Sequence, residues 1–448
     1  MSDSTEKALD LLQDVVSRAR KAGADAADAV YIEGTSLSTA CRLGKIEKLE
    51  RSEGHDLGLR VFLGRRQAIV SSNDSSPAAL DEVVARALSM ARTVPEDPFC
   101  GIAESDQIAK EWPQLDSLDA AEPAGETLIE RARAAEEAAL GIKGVTNSEG
   151  AETGWAKTAA ALFASNGFGG TYAASSHGLA VSVIAGEGSA MERDADFTSA
   201  VYLEDLKDPE TIGKSAGERA VRRLGARKMP TAECPVVFDP RVAASFLSHL
   251  LGAISGPSIA RGTSFLKDSL GQRIFPEAIT IIEDPHRRRG LRSRPFDAEG
   301  IANCRRAVID KGVLTTWLLD LRSARQLQLP PTGHASRGTS SPPAPSITNL
   351  WLEPGKASPK ELMADIESGF YVIELMGFGV NGVTGDYSRG AAGFWIERGE
   401  ITFPVSEMTV AGNLKNIFAR LVAANDLEFK TGVDAPTLRI DGLTVAGA

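Results

Sequence analysis

Leu57-Gly58-Leu59-Arg60-Val61-Phe62-Leu63 reads as a strand with one buried face. Leu57, Leu59, Val61 and Leu63 alternate with Gly58, Arg60 and Phe62, the period of two that a pleated strand imposes. The surroundings have the same texture. Val30-Tyr31-Ile32, Ser36 to Cys41 and Gln67 to Val70 are short β-forming runs separated by Gly34, Gly44, Gly54 and Gly64, which predicts a meander between Ala27 and Asp74. Helices bracket it. Lys7 to Ala22 places Ala8, Leu11, Leu12, Val15, Val16 and Ala19 on one face and stops at Gly23. Ser76-Pro77 supplies an N-cap and a first-turn proline for a second helix reaching about Arg92.

The pattern then repeats loosely. A third helix is expected over roughly Ala124 to Leu140, and strands from Val145 to about Leu203 include Thr171 to Ser175 and Ala180 to Ala185. Gly167-Phe168-Gly169-Gly170 is a weak phosphate-loop candidate whose competing and favoured reading is a turn between strands, and a fourth helix spans Pro209 to Leu224. Helix, strands, helix, helix, strands, helix argues for an α+β fold on an antiparallel sheet. The turn-prone connector Gly225 to Thr231 divides the chain into an N-terminal α+β domain, 1–228, and a C-terminal β-rich domain, 229–448, of barrel or sandwich type. The second half opens with a strand at Pro235-Val236-Val237-Phe238 and a helix from Val242 to Ile254. Hairpins are expected at Val308 to Leu314 and Phe394 to Ile401, each with a charged, glycine-bearing turn. Gly338 to Pro345, rich in Ser and Pro, reads as a mobile loop.

The 448 residues are 43% hydrophobic and 24% charged, ordinary values for a soluble globular protein. Sixty acidic against 49 basic residues give a net charge of −11, which disfavours direct nucleic-acid binding. The run His286-Arg287-Arg288-Arg289, with Arg292, Arg294, Arg305 and Arg306, reads as a solvated loop or a partner-facing patch. The tract Val242 to Ile254 is too short to span a bilayer, and the N-terminus lacks signal-peptide order. Cys41, Cys100, Cys234 and Cys304 have no metal-like spacing and read as reduced thiols of a cytoplasmic protein. The five histidines are widely dispersed, with no paired helical zinc motif, and no G-x-S-x-G elbow or P-loop occurs. His249, flanked by Leu247, Leu250 and Leu251, reads as a satisfied structural histidine. No catalytic or metal-binding residue is assigned.

One segment reads as a holder of ligand. Thr384-Gly385-Asp386-Tyr387-Ser388-Arg389-Gly390-Ala391-Ala392-Gly393-Phe394-Trp395 sets an acid, a phenol, a hydroxyl and a guanidinium among glycines. Gly385, Asp386, Tyr387, Ser388 and Arg389 are the candidate substrate-binding residues. Asp386 and Arg389 either pair with each other or hold the two ends of a peptide backbone. The competing reading is a tight inter-strand turn.

That segment, with Gly399-Glu400-Ile401, Pro404-Val405-Ser406-Glu407 and Ala411-Gly412-Asn413-Leu414-Lys415, resembles the C-terminal signature of the PmbA (TldE) branch of the TldD/PmbA family, also called modulator of DNA gyrase. Ser248 to Gly256, Ser264 to Gly271, Pro295 to Gly300, Thr332 to Ala335 and Thr348 to Leu350 fit the same family. The resemblance implies one subunit of a metalloprotease. In the TldD-type subunit a helical HExxxH and a distant cysteine bind zinc, and the glutamate is the general base. Here His249 matches the first histidine, but Leu250 stands for the glutamate and Ile254 for the second histidine, and no cysteine follows Cys304. The chain is therefore expected to carry no zinc and to be silent alone.

Its implied partner is a TldD-type zinc protease subunit in a heterodimer, with a homodimer as the candidate state of the isolated chain and short or unfolded peptides as substrates. The expected binding mode is β-augmentation near Asp386. Any gyrase link would be indirect, through proteolysis. The alternative is a stand-alone homodimeric peptide-binding or chaperone-like module. A third reading is an independent hydrolase using another site.

Overall fold

The computed structural model describes residues 2–447. Its first half is built on four unusually long strands. After helix α1 (Ser2–Lys21) come β1 (Ala26–Arg42), β2 (Lys45–Leu63) and β3 (Arg66–Ser72), then α2 (Pro77–Thr93) and α3 (Gly125–Leu140). They are followed by β4 (Val145–Ala164), β5 (Gly169–Ala185), β6 (Glu192–Ala200) and α4 (Pro209–Arg222). The six strands form one antiparallel sheet in the order β3-β2-β1-β4-β5-β6. At 20 residues β4 is roughly 65 Å long.

The glycines expected to punctuate the meander behave in two ways. Gly44, at φ 73 beside Leu43 at φ 49, makes the two-residue turn between β1 and β2, the left-handed pair a tight hairpin requires. Gly34 and Gly54 instead lie inside the ladder, opposite each other, with Thr158 on the far side of Gly34. Partners on both sides carry β1 straight through Gly34, which local propensity alone could not foresee.

Both helix pairs cover the same face of the sheet, because Ala27, Ala29 and Cys41 share a parity on β1. At one end Leu12, Val15 and Val16 of α1 and Leu80, Val84 and Leu88 of α2 pack on Ala29, Leu57, Leu59 and Val61. At the other end Ala132, Ala135 and Ala139 of α3 and Ile212, Ala216 and Ala220 of α4 pack on Cys41, Ala151, Leu179 and Val181. Gly213 and Gly217 let α4 lie flat on α3, since a Cβ at 213 would run into the Ala135 carbonyl. The predicted caps are in place: the Ser76 hydroxyl accepts from the Ala79 amide at 3.4 Å.

The second half begins with β7 (Ala232–Phe238), α5 (Pro240–Ala253), α6 (Gly256–Ala260), β8 (Ile281–Asp284), β9 (Arg306–Asp310) and β10 (Val313–Leu314). Next are α7 (Leu321–Leu327), β11 (Ala335–Ser336), β12 (Ala344–Pro345), β13 (Asn349–Leu352), α8 (Pro359–Met363) and β14 (Ser368–Met376). It closes with β15 (Asp386–Glu397), β16 (Glu400–Asn413), α9 (Leu414–Arg420), β17 (Val422–Ala423), β18 (Val433–Asp434) and β19 (Leu438–Gly447). Strand β16 pairs with both β15 and β19, so the sheet β16-β15-β14-β7-β19 closes into a barrel with β17 appended. The smaller sheet β10-β9-β8-β13-β18 shares its core: Ile281, Ile309 and Leu350 pack with Phe238, Phe246, Leu250, Phe370 and Trp395. Both expected hairpins form, with Lys311–Gly312 and Arg398–Gly399 in the left-handed region.

The halves meet across the sheet face opposite the helices. Val30, Leu162, Ala164 and Phe168 pack on Phe296 of the second half. Deeper lies an ionic junction. Asp28 accepts from Arg60 Nε at 3.0 Å and from the Arg337 guanidinium, and all three side chains are at most 4% exposed. Burial alone would push the Asp28 carboxyl up, but Arg337 and Arg60 outweigh it and hold it below its ordinary value. The serine- and proline-rich loop is anchored here rather than free. Arg337 reaches Asp28, the Thr339 hydroxyl donates to Asp56, and β11 pairs with β12 across the loop's base.

Glu299 sits against this junction, 3.9 Å from Arg60, accepting from the Leu321 amide at 2.7 Å. Burial, with Asp297 nearby, pushes its carboxyl up from 4.5 to about 8. The folded state thus keeps a proton that the unfolded chain has released, so this contribution to stability is full below about pH 4.5 and is lost as pH rises through about 8. Glu299→Gln, whose amide oxygen still accepts from Leu321, is expected to flatten that decline. Urea unfolding at pH 5 and at pH 8 checks it; an unchanged slope would contradict the assignment. Among the described residues no helix is long and apolar enough to cross a membrane, and the four cysteines are free thiols.

Candidate functional site

The Gly385–Arg389 segment is the start of β15, and strand alternation splits its side chains between two faces. Asp386 and Ser388 are exposed, whereas Tyr387 is 1% exposed and Arg389 is half-buried on the inner side. Asp386 and Arg389 therefore do not pair. Asp386 accepts from the Thr384 hydroxyl at 2.6 Å and the Asn413 amide at 3.1 Å, which together hold its carboxyl below the ordinary value. Arg389 donates to the Leu375 carbonyl at 3.2 Å. Gly385, at φ 86, is enclosed by Asn413 and Phe265 and must be glycine to make the turn.

Both edges of β15 are occupied here. On one side Asp386, Tyr387 and Ser388 pair with β16. On the other, residues 377–385 fold back, so the Ser388 amide donates to the Gly379 carbonyl at 2.7 Å and the Asn381 amide to the Asp386 carbonyl at 2.8 Å. A peptide adding a strand at Asp386 would have to displace that loop, contrary to the expectation of open main chain there. Over it lies an open depression of about 560 Å³ lined by Phe378, Gly379, Val380, Asn381 and Ser388 among others. Phe378 projects fully into solvent, and Val383 is 56% exposed.

Beneath the segment, Tyr387 meets α5. Its ring lies edge-on to His249 at 5.8 Å and beside Phe246 at 5.7 Å. Among the described residues, Tyr387 Oη, His249 Nε2 and Arg389 Nε have no hydrogen-bond partner. Burial, reinforced by the Arg389 charge, pushes the His249 imidazolium down and keeps the ring neutral. Burial likewise pushes the Tyr387 phenol up. Leu250 and Ile254 are wholly buried in the barrel core. A zinc ion does not fit this donor set: one imidazole is available, a phenol and a guanidinium stand beside it, and the field that disfavours the imidazolium also disfavours a divalent cation.

A second concavity, of about 720 Å³, escaped the sequence reading because residues from both halves build it. Arg223 of the first half pairs with Glu374 at 2.6 Å, and Arg241 of the second pairs with Asp194 at 2.8 Å. Tyr371 donates to Asp239 at 3.0 Å. Its size suits a short peptide segment or a small ligand. The local signal was Arg219 in the last turn of α4 and Arg223 at its C-cap, four positions on, matched by Asp194 and Asp196 two apart on β6. The basic run His286 to Arg294 is largely spent internally: Arg287 stacks on Phe429 at 3.9 Å, Arg289 stacks on Tyr202 at 3.7 Å, and Arg292 and Arg294 bond within the fold.

Three family models cover the chain: the PmbA/TldA metallopeptidase domain 1 at residues 27–91, the central domain at 119–224 and the C-terminal domain at 231–447. The chain is 38% identical to metalloprotease PmbA of Escherichia coli O157:H7, over 98% of this chain and 96% of that protein. In structure it is similar to a candidate modulator of DNA gyrase from Bacteroides thetaiotaomicron, with a TM-score of 0.91, 30% identity and 98% of both chains covered. TldE from Thermococcus kodakarensis shares the fold at 20% identity, with a TM-score of 0.88, covering 98% of this chain and all 100% of that one. Full-length identity at this level, with all three domain models in order, makes the chain a member of the PmbA/TldD metallopeptidase family.

Proposed function

We propose that this chain is the zinc-free, PmbA/TldE-type subunit of a cytoplasmic two-subunit metallopeptidase that degrades or processes short or unfolded peptides. The metal and the general base belong to a TldD-type partner. The observation that carries this reading is the state of α5. Leu250 and Ile254, the positions where the family resemblance places the base and a ligand, are packing residues of the barrel core, and the remaining His249 stands beside Arg389. The chain's role is then to complete the chamber and hold peptide. The cleft between its halves and the Phe378 depression support that role by their size and position.

The test is hydrolysis of an unfolded peptide by this chain alone, by a TldD-type subunit alone and by the mixture, each with and without chelator. Chelator-sensitive turnover only in the mixture is expected. Chelator-insensitive turnover by this chain alone would instead make it an independent hydrolase. Full turnover by the TldD-type subunit alone would leave the homodimeric peptide-binding module. Arg389→Ala and Asp386→Ala are expected to lower turnover of the mixture severalfold, Asp386 by loosening the turn it holds with Thr384 and Asn413. Unchanged turnover in both would remove this segment from substrate handling.

A further inference from the structure

One cation of the basic run His286 to Arg294 is left over. Arg287 lies half-buried beside a pocket of about 320 Å³, and its guanidinium rests on the Phe429 ring at 3.9 Å. Trp351 meets the same ring edge-on at 5.5 Å. Among the described residues neither Arg287 nor Trp351 has a hydrogen-bond or ion-pair partner for its side chain. The other cations of the wall are taken: Arg289 by Asp205 and Glu204 at 3.0 and 2.8 Å, Lys430 by Glu428 at 3.3 Å, and Arg288 by Asp116 at 3.2 Å. Burial pushes the Arg287 guanidinium down from its ordinary value, and Asp434 and Asp284 offset that only in part.

We propose that this pocket anchors a carboxylate of a bound peptide on Arg287, with Phe429 and Trp351 packing against the neighbouring apolar side chain. A guanidinium stacked through one face keeps the N–H fork at its edge free. That fork matches a planar carboxylate with two parallel hydrogen bonds. Phosphate fits less well. The amides of Lys430, Thr431 and Gly432 converge as an anion nest, but Asp434 already fills it, accepting from them at 3.1, 3.0 and 3.1 Å. A dianion would stand against that carboxylate, whereas a monoanion beside Arg287 meets less repulsion.

Position gives the ligand its class. Lys430 and Asp434 line both this pocket and the larger cleft between the halves, so the two concavities adjoin. A chain anchored at Arg287 can continue into the cleft. Phe429 is 45% exposed, which leaves aromatic surface for an apolar residue next to the carboxylate. The carboxylate comes from either the peptide's C-terminus or an acidic side chain. The inference rests on the peptide-holding role proposed for this chain and adds to it the group that is recognised.

Calorimetry of the isolated chain with three N-acetylated probes tests it: acetyl-Ala-Ala-Phe as the free acid, the same peptide as its amide, and acetyl-Ala-Glu-Phe-amide. At least one of the two carboxylate peptides is expected to bind about tenfold tighter than the neutral amide, the scale of one charge-assisted pair. Preference for the free acid places the chain terminus at Arg287, and preference for the glutamyl peptide places an acidic side chain there. Arg287→Gln, shown folded by its melting curve, is expected to erase that preference and leave binding of the neutral amide unchanged. Arg287→Lys is expected to keep part of it. Equal binding of all three peptides, a preference that survives Arg287→Gln, or displacement of the peptide by an equal concentration of inorganic phosphate overturns the anchor while peptide holding stands. No binding of any of the three overturns both the anchor and peptide holding by this chain.

Discussion

Asp28→Ala is expected to destabilise the chain by about 3–5 kcal/mol, seen as a lower urea midpoint for the transition in which the two halves separate. Asp28 is the counter-ion of two guanidiniums, Arg60 and Arg337, and none of the three is more than 4% exposed. Removing it leaves two cations facing each other away from water. Glu299, at 3.9 Å from Arg60, is the nearest remaining acid, so part of the loss is recovered if its carboxyl ionises. Asp28→Asn keeps the acceptor oxygen and is expected to cost less. A midpoint unchanged in Asp28→Ala would show that the junction is hydrated or dispensable.

Gly58→Ala is the second large effect. Gly58 lies in β2 opposite Val30 and Ser71, and a Cβ there would run into the carbonyl, carbonyl carbon and Cα of Thr339. Every obstacle is backbone, so no rotamer change relieves it, and the loop carrying Thr339 must lift from the sheet. Overpacking of this kind costs about 1–3 kcal/mol, and here it also draws on the Thr339–Asp56 bond and on the placement of Arg337 two residues earlier. The two substitutions act on one segment, so their effects should fall short of adding. Strict additivity in the double variant would mean that the loop and the ionic junction are independent. Limited proteolysis near Gly338 should rise in Gly58→Ala.

Local signals carried most of the fold. The Ser76 cap, the Pro209 helix start and the hairpin turns at Lys311–Gly312 and Arg398–Gly399 all depend on residues within a few positions, and each forms where expected. Strand length was not legible, because whether a glycine ends a strand depends on neighbours far away in sequence. Gly34 continues since Gly54 and Thr158 flank it. The same holds for the loop after Arg337: its composition resembles a free linker, but its anchor, Asp28, is 309 positions away.

The candidate site was legible in part. Glycine spacing and polar content marked Gly385 to Arg389, and the family resemblance marked His249, Leu250 and Ile254. Facing was not legible: β15 turns Asp386 outward and Arg389 inward, which removes mutual pairing, one of the two roles expected of them. The fold-back of residues 377–385 over that strand, and the cleft joining Arg223 and Arg241 to acids of the opposite half, need tertiary placement that no local pattern encodes.

Zinc binding by calorimetry, comparing the purified chain with its complex with a TldD-type subunit, decides where the metal sits. No high-affinity zinc site is expected in this chain alone, and one zinc per heterodimer, retained by the partner when the two are separated. Equimolar, tight zinc binding by this chain, abolished by His249→Ala, would contradict it.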